Sequence, residues 1–226
     1  HSGLEKISGD LTGIEFQNFV SKENITKNRH LLNGAGVATG DVDGDGFTDV
    51  YFCRTDGPNV LYRNLGGWTF EDITERAGVA CADQFSTGSV FADLDGDNDL
   101  DLLVPAIGGS NALFMNDGNG LFTEVTEGSG LASNTGATTM ALADVDGDGD
   151  LDLYMANDKT RSVRDIYPAN ERTFDMTVRQ TEDGWEILPE FKDHFTLNVR
   201  GGRLERFEYA EADLFFSNDG TGRFIQ

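Results

Sequence analysis

The chain has 226 residues, of which 40 are acidic and 17 are basic, so its formal net charge is −23. A surface this acidic argues against nucleic acids and anionic membranes as partners, because both carry negative charge themselves. Disorder is disfavoured as well, because 38% of the residues are hydrophobic and 10% are aromatic, and folded cores are built from such residues. No run of 18 apolar residues occurs, so the sequence predicts no membrane span.

The first segment, residues 1–31, precedes the repeated motifs of the chain. Within it, residues 13–19 intersperse apolar and polar side chains, which predicts an amino-terminal β-strand. Two roles are open to such a strand. It completes a sheet of its own chain, or it pairs with the free edge of a neighbouring copy and satisfies backbone groups there.

An acidic loop follows at residues 41–49 and returns at residues 93–101 and 144–152, with aspartates at positions 1, 3, 5 and 9 of each copy. Calcium is a hard cation that takes about six to eight oxygen ligands, and alternate aspartates in a tight loop turn their carboxylates towards one centre. The backbone carbonyl at position 7 joins them. The sequence therefore predicts about three Ca²⁺ ions, held by Asp41, Asp43, Asp45, Phe47 and Asp49; by Asp93, Asp95, Asp97, Asp99 and Asp101; and by Asp144, Asp146, Asp148, Asp150 and Asp152.

The backbone of each acidic loop also has a conformational requirement at position 6. This position needs a left-handed backbone, which glycine adopts freely and asparagine tolerates, and it holds Gly46, Asn98 or Gly149. The spacing resembles the first half of an EF-hand, but position 12 carries no carboxylate in any copy. Runs of β-branched, aromatic and aliphatic residues flank the loops, so each loop is predicted to be the turn of a β-hairpin.

A second motif accompanies the acidic loop, with an asparagine, a glycine and a phenylalanine at constant spacing in residues 61–70, 113–122 and 215–224. It predicts a second hairpin in each repeat. Two hairpins per period of 52 or 51 residues give four strands, which is the unit of a β-propeller blade. The predicted fold is therefore all-β, with propeller-type blades of four antiparallel strands and Ca-binding hairpin loops, as part of a larger propeller or assembly.

The third repeat is interrupted. Asn64 and Asn116 are 52 residues apart, whereas Asn116 and Asn218 are 102 apart. Residues 174–178 and 195–199 alternate in polarity and Asp183-Gly184 signals a turn, which predicts a β-rich insertion; a degenerate extra blade is the alternative. Insertions on one face of a repeat array often carry binding, and a decorative hairpin is the equal alternative. The predicted divisions are an N-terminal strand segment at 1–31, blade 1 at 32–80, blade 2 at 81–132, blade 3 at 133–158 and 213–226, and the insertion at 159–212.

Together these motifs resemble FG-GAP/VCBS repeats, the blade type of integrin α-chain propellers. Residues 13–16, 34–37, 61–64 and 72–74 are more similar to the secreted ASPIC/UnbV and cartilage-acidic-protein relatives. The resemblance covers nearly all of residues 11–158 and 213–226. It implies the fold and the calcium sites, and it leaves the biological role and the binding face open.

The chain has two cysteines, Cys53 and Cys81, which lie 28 residues apart. They form a disulfide if the compartment is oxidising, and two buried free thiols are the alternative. Calcium loops of this type suit a calcium-rich exterior, so the expected location is secreted, extracellular or on the cell surface, with the periplasm as a further compartment. Three bound Ca²⁺ would change the formal charge from −23 to −17, so the surface would remain acidic.

The predicted function is an extracellular calcium-binding propeller module for binding, adhesion or scaffolding, with structural Ca²⁺ and a protein or glycan as partner. A subunit of a self-assembling fibre or surface structure is a second hypothesis, because three blades fall short of the roughly four to eight that close a propeller. The chain also stops within the final strand of the third repeat, so a homo-oligomer or polymer is expected. The third hypothesis is that the chain is part of a polysaccharide-acting enzyme, with His30, His194 and Arg200 as candidate catalytic groups. No catalytic motif brings these residues together in the sequence, so no enzyme is predicted.

Overall fold

The computed structural model describes residues 6–226, which form an all-β protein with three four-stranded antiparallel sheets. Sheet 1 has the order β1-β2-β3-β4, with β1 at Val37–Gly40, β2 at Asp49–Phe52, β3 at Val60–Asn64 and β4 at Phe70–Asp72. Sheet 2 has the order β5-β6-β7-β8, with β5 at Val90–Ala92, β6 at Asp101–Val104, β7 at Ala112–Asn116 and β8 at Phe122–Glu124. Sheet 3 has the order β16-β15-β10-β9, with β9 at Ala137–Ala143, β10 at Asp152–Asn157, β15 at Leu214–Asn218 and β16 at Phe224–Ile225.

The predicted pair of hairpins per repeat is confirmed in all three sheets. Each acidic loop joins the first two strands of its sheet, and each asparagine motif joins the last two. In sheet 2 the whole of β6 is buried, because both faces of this sheet are covered by a neighbouring sheet. Closure of such sheets into a propeller stays a prediction.

Two apolar clusters hold the three sheets face to face. The first lies between sheets 1 and 2 and includes Tyr51, Leu61, Leu102 and Phe114. The second lies between sheets 2 and 3 and includes Leu103, Leu113, Leu153 and Phe216. Burial of each such side chain contributes about 1.5–3 kcal/mol, so the packing of sheet on sheet is a main source of stability.

A left-handed glycine closes the segment that follows the last strand of sheets 1 and 2. Gly78 ends the helical turn α3 at Thr74–Ala77 with a φ of 76°, and Gly130 has a φ of 86°. A β-carbon added at either residue would approach the Phe122 or the Phe224 carbonyl of the next sheet. The left-handed backbone favours glycine at both residues, and at Gly130 the close approach of the Phe224 carbonyl requires it as well.

The predicted strand at residues 13–19 is wrong. The helical turn α1 at Gly9–Thr12 ends at the left-handed Gly13, and no strand follows before the helices α2 at Lys22–Lys27 and 3₁₀ at Arg29–Asn33. Instead, Phe16 stacks on Phe52 with ring centroids 4.8 Å apart. Gly13 approaches the Phe70 carbonyl as Gly78 approaches that of Phe122, so the segment packs on sheet 1 through side chains and a helical turn. Residues 1–5 of the predicted segment lie outside the described residues.

The stretch between β10 and β15 contains two separate hairpins. Strand β11 at Val178–Thr181 pairs with β12 at Gly184–Ile187, and β13 at Phe195–Arg200 pairs with β14 at Arg203–Glu208. Short helices lie at Val163–Ile166 (α4), at Phe174–Thr177 (α5) and, as a 3₁₀ turn, at Pro189–Phe191. Val163, Val178, Ile187, Phe191 and Phe195 form their own apolar cluster.

The sequence predictions for this stretch are partly correct. The strand at residues 195–199 and the turn before Gly184 are present. The strand at residues 174–178 is wrong, because residues 174–177 form α5, whose Thr177 hydroxyl donates to the Thr173 carbonyl at 3.0 Å. Two two-stranded sheets stand where an extra blade would need one four-stranded sheet. Among residues 6–226, no helix combines the length and the apolar character that a bilayer crossing requires.

Candidate metal centres

Loops 1, 2 and 3 (residues 41–49, 93–101 and 144–152) have the backbone conformation that the sequence predicts. Position 6 is left-handed in all three, with φ values of 87° at Gly46, 72° at Asn98 and 102° at Gly149. The glycine at position 4 is left-handed as well, at 70°, 81° and 83°. Two left-handed residues within three positions bend the chain sharply enough to bring the odd-numbered side chains to one side.

The aspartate at position 1 fixes this bend through hydrogen bonds to the backbone of its own loop. In loop 1, Asp41 Oδ2 accepts from the Gly46 amide at 2.8 Å. The corresponding bonds from the position 6 amide are 3.1 Å in loop 2 and 3.2 Å in loop 3. The loops are therefore held in a curved form by their own carboxylates.

Each loop brings three carboxylates into one small group. Their ligand atoms lie within 4.8 Å of one another in the groups Asp41, Asp43 and Asp45; Asp93, Asp95 and Asp101; and Asp144, Asp146 and Asp148. Twelve carboxylates were predicted as ligands, and nine of them fall in these groups. The carboxylates of loop 3 are exposed, whereas those of loop 2 are at least half-buried.

The aspartate at position 9 is a buried link to the rest of its sheet, a role that the sequence did not indicate. Asp49, Asp101 and Asp152 are 0%, 1% and 3% exposed. In loop 1, Asp49 Oδ2 accepts from the Val42 amide at 2.9 Å and Oδ1 accepts from the Asn64 amide at 2.7 Å. The same pair of bonds occurs in loops 2 and 3. Position 9 therefore joins its loop to the third strand of its sheet.

The acidity of these groups reflects burial and crowding. Burial, followed by the neighbouring carboxylates, raises the pKa of Asp99 to about 6. Burial also raises the pKa of Asp101 to about 6, against the effect of two backbone hydrogen bonds. The pKa of Asp95 is raised by burial and then by Asp97. A cation in the loop would relieve the repulsion and favour the ionised form.

The asparagine of the second motif connects neighbouring sheets. The Asn116 amide nitrogen donates to the Val42 carbonyl of loop 1 at 2.8 Å. The Asn218 amide nitrogen donates to the Leu94 carbonyl of loop 2 at 2.9 Å. Val42 and Leu94 are at position 2 of their loops, so each of these loops is bonded to its own sheet through position 9 and to the next sheet through position 2.

The family profile described as FG-GAP-like repeat matches residues 41–104 and 106–155 of the chain. These ranges contain all three loops and half of the residues. The chain belongs to the FG-GAP-like repeat family. This confirms the family indicated by the motifs of the sequence.

Curated relatives of this FG-GAP-like chain include two kinds of protein. Cartilage acidic protein 1 from Xenopus tropicalis is 27% identical over 153 residues, which are 66% of this chain and 23% of the relative. Cartilage acidic protein 1 from Homo sapiens is 27% identical over 132 residues, 57% of this chain and 20% of the relative. Integrin alpha-PS2 from Drosophila melanogaster is 32% identical over 100 residues, 44% of this chain and 7% of the relative. The chain thus spans less than a quarter of the length of these relatives.

The cysteines of the first FG-GAP-like repeat are free thiols, so the disulfide expected for an oxidising compartment is not found. Cys53 Sγ donates to the Gly88 carbonyl at 2.9 Å, and Cys81 Sγ lies 3.6 Å from the Tyr51 hydroxyl. Burial raises the pKa of Cys53 to about 12 and that of Cys81 to about 11. Each sulfur has its own partner, and neither thiol ionises readily at neutral pH.

The groups considered for catalysis lie outside the FG-GAP-like loops. His30 Nδ1 is 3.3 Å from an Asp158 carboxylate oxygen. His194 packs edge-on against the Tyr167 ring, with centroids 5.6 Å apart. Arg200 ends strand β13 in the stretch between β10 and β15. His30 therefore connects the amino-terminal segment to the end of β10, and His194 packs within the stretch between β10 and β15.

Proposed function

We propose that the chain is a non-catalytic calcium-binding module of the cell exterior that works in protein binding, adhesion or scaffolding. The observation that carries this proposal is the group of three carboxylates that occurs in each of the three loops. Three carboxylate oxygens within 4.8 Å of one another are the hard, anionic ligand set that calcium takes, and a position 7 carbonyl adds a fourth oxygen. The position 1 hydrogen bonds hold the loops ready, which lowers the ordering cost of binding.

Calcium in these loops would act mainly on the fold. Each loop joins two strands and, in loops 1 and 2, also bonds to the next sheet. A cation that binds the folded loop but not the unfolded chain adds about 2.7 kcal/mol per site when free calcium is 100-fold above Kd. A calcium-rich exterior suits such sites, and the relatives named as a cartilage protein and an integrin alpha chain fit the same location.

Calorimetric titration with CaCl₂ tests the proposal. We expect about three ions per chain, together with a melting temperature that falls when EDTA removes them. Asp83→Asn is the matched control, because Asp83 is an exposed aspartate outside the loops, and it should leave the stoichiometry unchanged. Absence of calcium uptake at millimolar calcium would refute the proposal.

The larger assembly forms the second part of this proposal, and the exposed face of sheet 3 supports it. Val42 and Leu94 are both 1% exposed, whereas Val145 at the same position of loop 3 is 64% exposed. Tyr154 and Phe215 are 46% and 44% exposed, and their counterparts in sheets 1 and 2 are fully buried. We infer that a further four-stranded sheet of the same type covers this face, in a propeller or in a homo-oligomer.

Sedimentation of the chain in calcium tests this assembly. We expect association that rises with protein concentration, and Phe215→Lys should abolish it without unfolding the protein, because this side chain already faces solvent. Thr138→Lys is the control, since Thr138 is an exposed residue of β9 in the same sheet. A monomer at every concentration, unaffected by Phe215→Lys, would refute the homo-oligomer.

A further inference from the structure

The carboxylates of loop 1 contact a positively charged side chain of the protein itself, that of Arg63 on strand β3. The Arg63 guanidinium contacts Asp43 through Nε and Asp45 through Nη2, the latter at 2.9 Å. Both aspartates belong to the carboxylate group of loop 1. The Arg63 side chain is 30% exposed, so it lies along the surface of the loop rather than free in solvent.

The same strand position differs in the other two sheets. Arg63 immediately precedes the motif asparagine of sheet 1, and the residues at this position in sheets 2 and 3 are Met115 and Ser217. Neither side chain carries charge. Among residues 6–226, no ion pair reaches the carboxylates of loops 2 or 3.

We propose that Arg63 makes loop 1 the weakest of the three calcium sites and partly replaces calcium in holding that loop together. The inference rests on the proposed calcium function. A calcium ion at Asp43 and Asp45 must displace the guanidinium or bind beside it, and both alternatives oppose binding, through lost ion pairs or through repulsion between cations. Without calcium, the guanidinium offsets the repulsion among the carboxylates of loop 1.

Strand pairing offers the displaced guanidinium a second partner. Arg63 stands directly opposite Glu71 in the β3–β4 register, and side chains at such paired positions are close enough to interact. Glu71 is exposed and its carboxylate lies outside the loop. Arg63 can therefore leave loop 1 for another carboxylate, so calcium binds loop 1 with reduced affinity rather than being excluded.

An exchange of charge between sheets tests the proposal on the full chain. Arg63→Met gives sheet 1 the residue that sheet 2 has, and Ser217→Arg gives sheet 3 the residue of sheet 1. In calorimetric titrations we expect Arg63→Met to strengthen the weakest calcium-binding step about tenfold, equivalent to about 1.4 kcal/mol. Ser217→Arg should weaken one of the tighter steps, and Asp45→Ala should remove the weakest step, which assigns that step to loop 1.

Melting in EDTA provides a second measurement that does not depend on bound calcium. Arg63→Met should lower the melting temperature of the calcium-free protein, and Ser217→Arg should raise it. If Arg63→Met fails to fold, Ser217→Arg alone tests both effects. Unchanged binding steps in both variants would overturn the role of Arg63 while leaving the calcium sites intact. No calcium uptake by the unsubstituted chain would instead refute the proposed function itself.

Discussion

Truncation of Asn116 should show how much of the free energy of unfolding comes from hydrogen bonds between neighbouring sheets. The Asn116 side chain is 8% exposed, and its amide nitrogen donates to the Val42 and Leu100 carbonyls at 2.8 and 3.2 Å. Its amide oxygen accepts from the backbone amides of Asp117 and Gly120 at 2.9 and 3.2 Å. Asn116→Ala therefore removes four hydrogen bonds and leaves buried backbone groups unsatisfied.

The expected loss follows from the number of bonds. At about 1 kcal/mol net for each hydrogen bond, Asn116→Ala should lower the free energy of unfolding by about 4 kcal/mol. Asn64 is the matched control, because it bonds only within its own sheet, to the Thr48 carbonyl and from the Gly66 amide. Among residues 6–226, no loop of a preceding sheet lies beside it. Asn64→Ala should cost about 2 kcal/mol or less.

Urea unfolding in saturating calcium, followed by circular dichroism, measures both variants. The difference of about 2 kcal/mol should also appear as a melting temperature about 4–8 °C lower for Asn116→Ala than for Asn64→Ala. Equal losses in the two variants would refute the reasoning, because the bond between sheets would then add nothing to stability.

Three further outcomes are expected. Asp95→Ala should lower the calorimetric stoichiometry from about three calcium ions to about two, because it removes a ligand from the group in loop 2 only. Gly130→Ala should destabilise the chain by about 3 kcal/mol or more in urea, because a β-carbon there would overlap the Phe224 carbonyl and the left-handed backbone adds strain. Glu211→Gln should speed proteolysis within residues 159–212, because the Glu211 carboxylate accepts from the Gly136 and Thr160 amides at 2.6 Å each.

Each of these outcomes has a control or a contrary result. Loss of all calcium in Asp95→Ala would show that the three loops bind as one unit. Gly128→Ala is the control for Gly130→Ala, since Gly128 has a φ of 93° but open space around its α-carbon, so it should show only the backbone strain. Glu182→Gln, in the exposed β11–β12 turn, should leave proteolysis unchanged, and equal cleavage rates in Glu211→Gln would contradict the anchoring role of Glu211.

The sequence predicts the features that depend on neighbouring residues. The left-handed position 6, the hairpins around each loop and the three four-stranded sheets follow from local spacing, because turn chemistry and strand patterning act over a few residues. The constant spacing of Asn64, Asn116 and Asn218 was visible as well. The role of the asparagine in joining neighbouring sheets could not be predicted from that spacing. The Asn116 bond to Val42 joins residues 74 apart in the chain and exists only after sheets 1 and 2 have packed.

The incorrect predictions concern residues that make contacts in the folded chain which the local sequence pattern does not indicate. Residues 13–19 have strand-like composition, but Phe16 packs on Phe52 and residues 14–20 form no regular secondary structure. Residues 174–177 alternate in polarity, yet Thr177 bonds back to Thr173 and closes a helical turn. For Cys53 and Cys81 the sequence left a disulfide and two free thiols open, and the thiols are free, since each sulfur contacts its own oxygen partner.

The backbone of the residue at position 2 of a loop has a thermodynamic consequence. Its amide bonds to the position 9 aspartate of the same loop, and in loops 1 and 2 its carbonyl bonds to the asparagine of the next sheet. Binding energies that share a structural element are coupled, and the coupling is reciprocal. Whatever covers the exposed face of sheet 3 should therefore raise the calcium affinity of loop 3, and calcium in loop 3 should tighten that partner by the same factor.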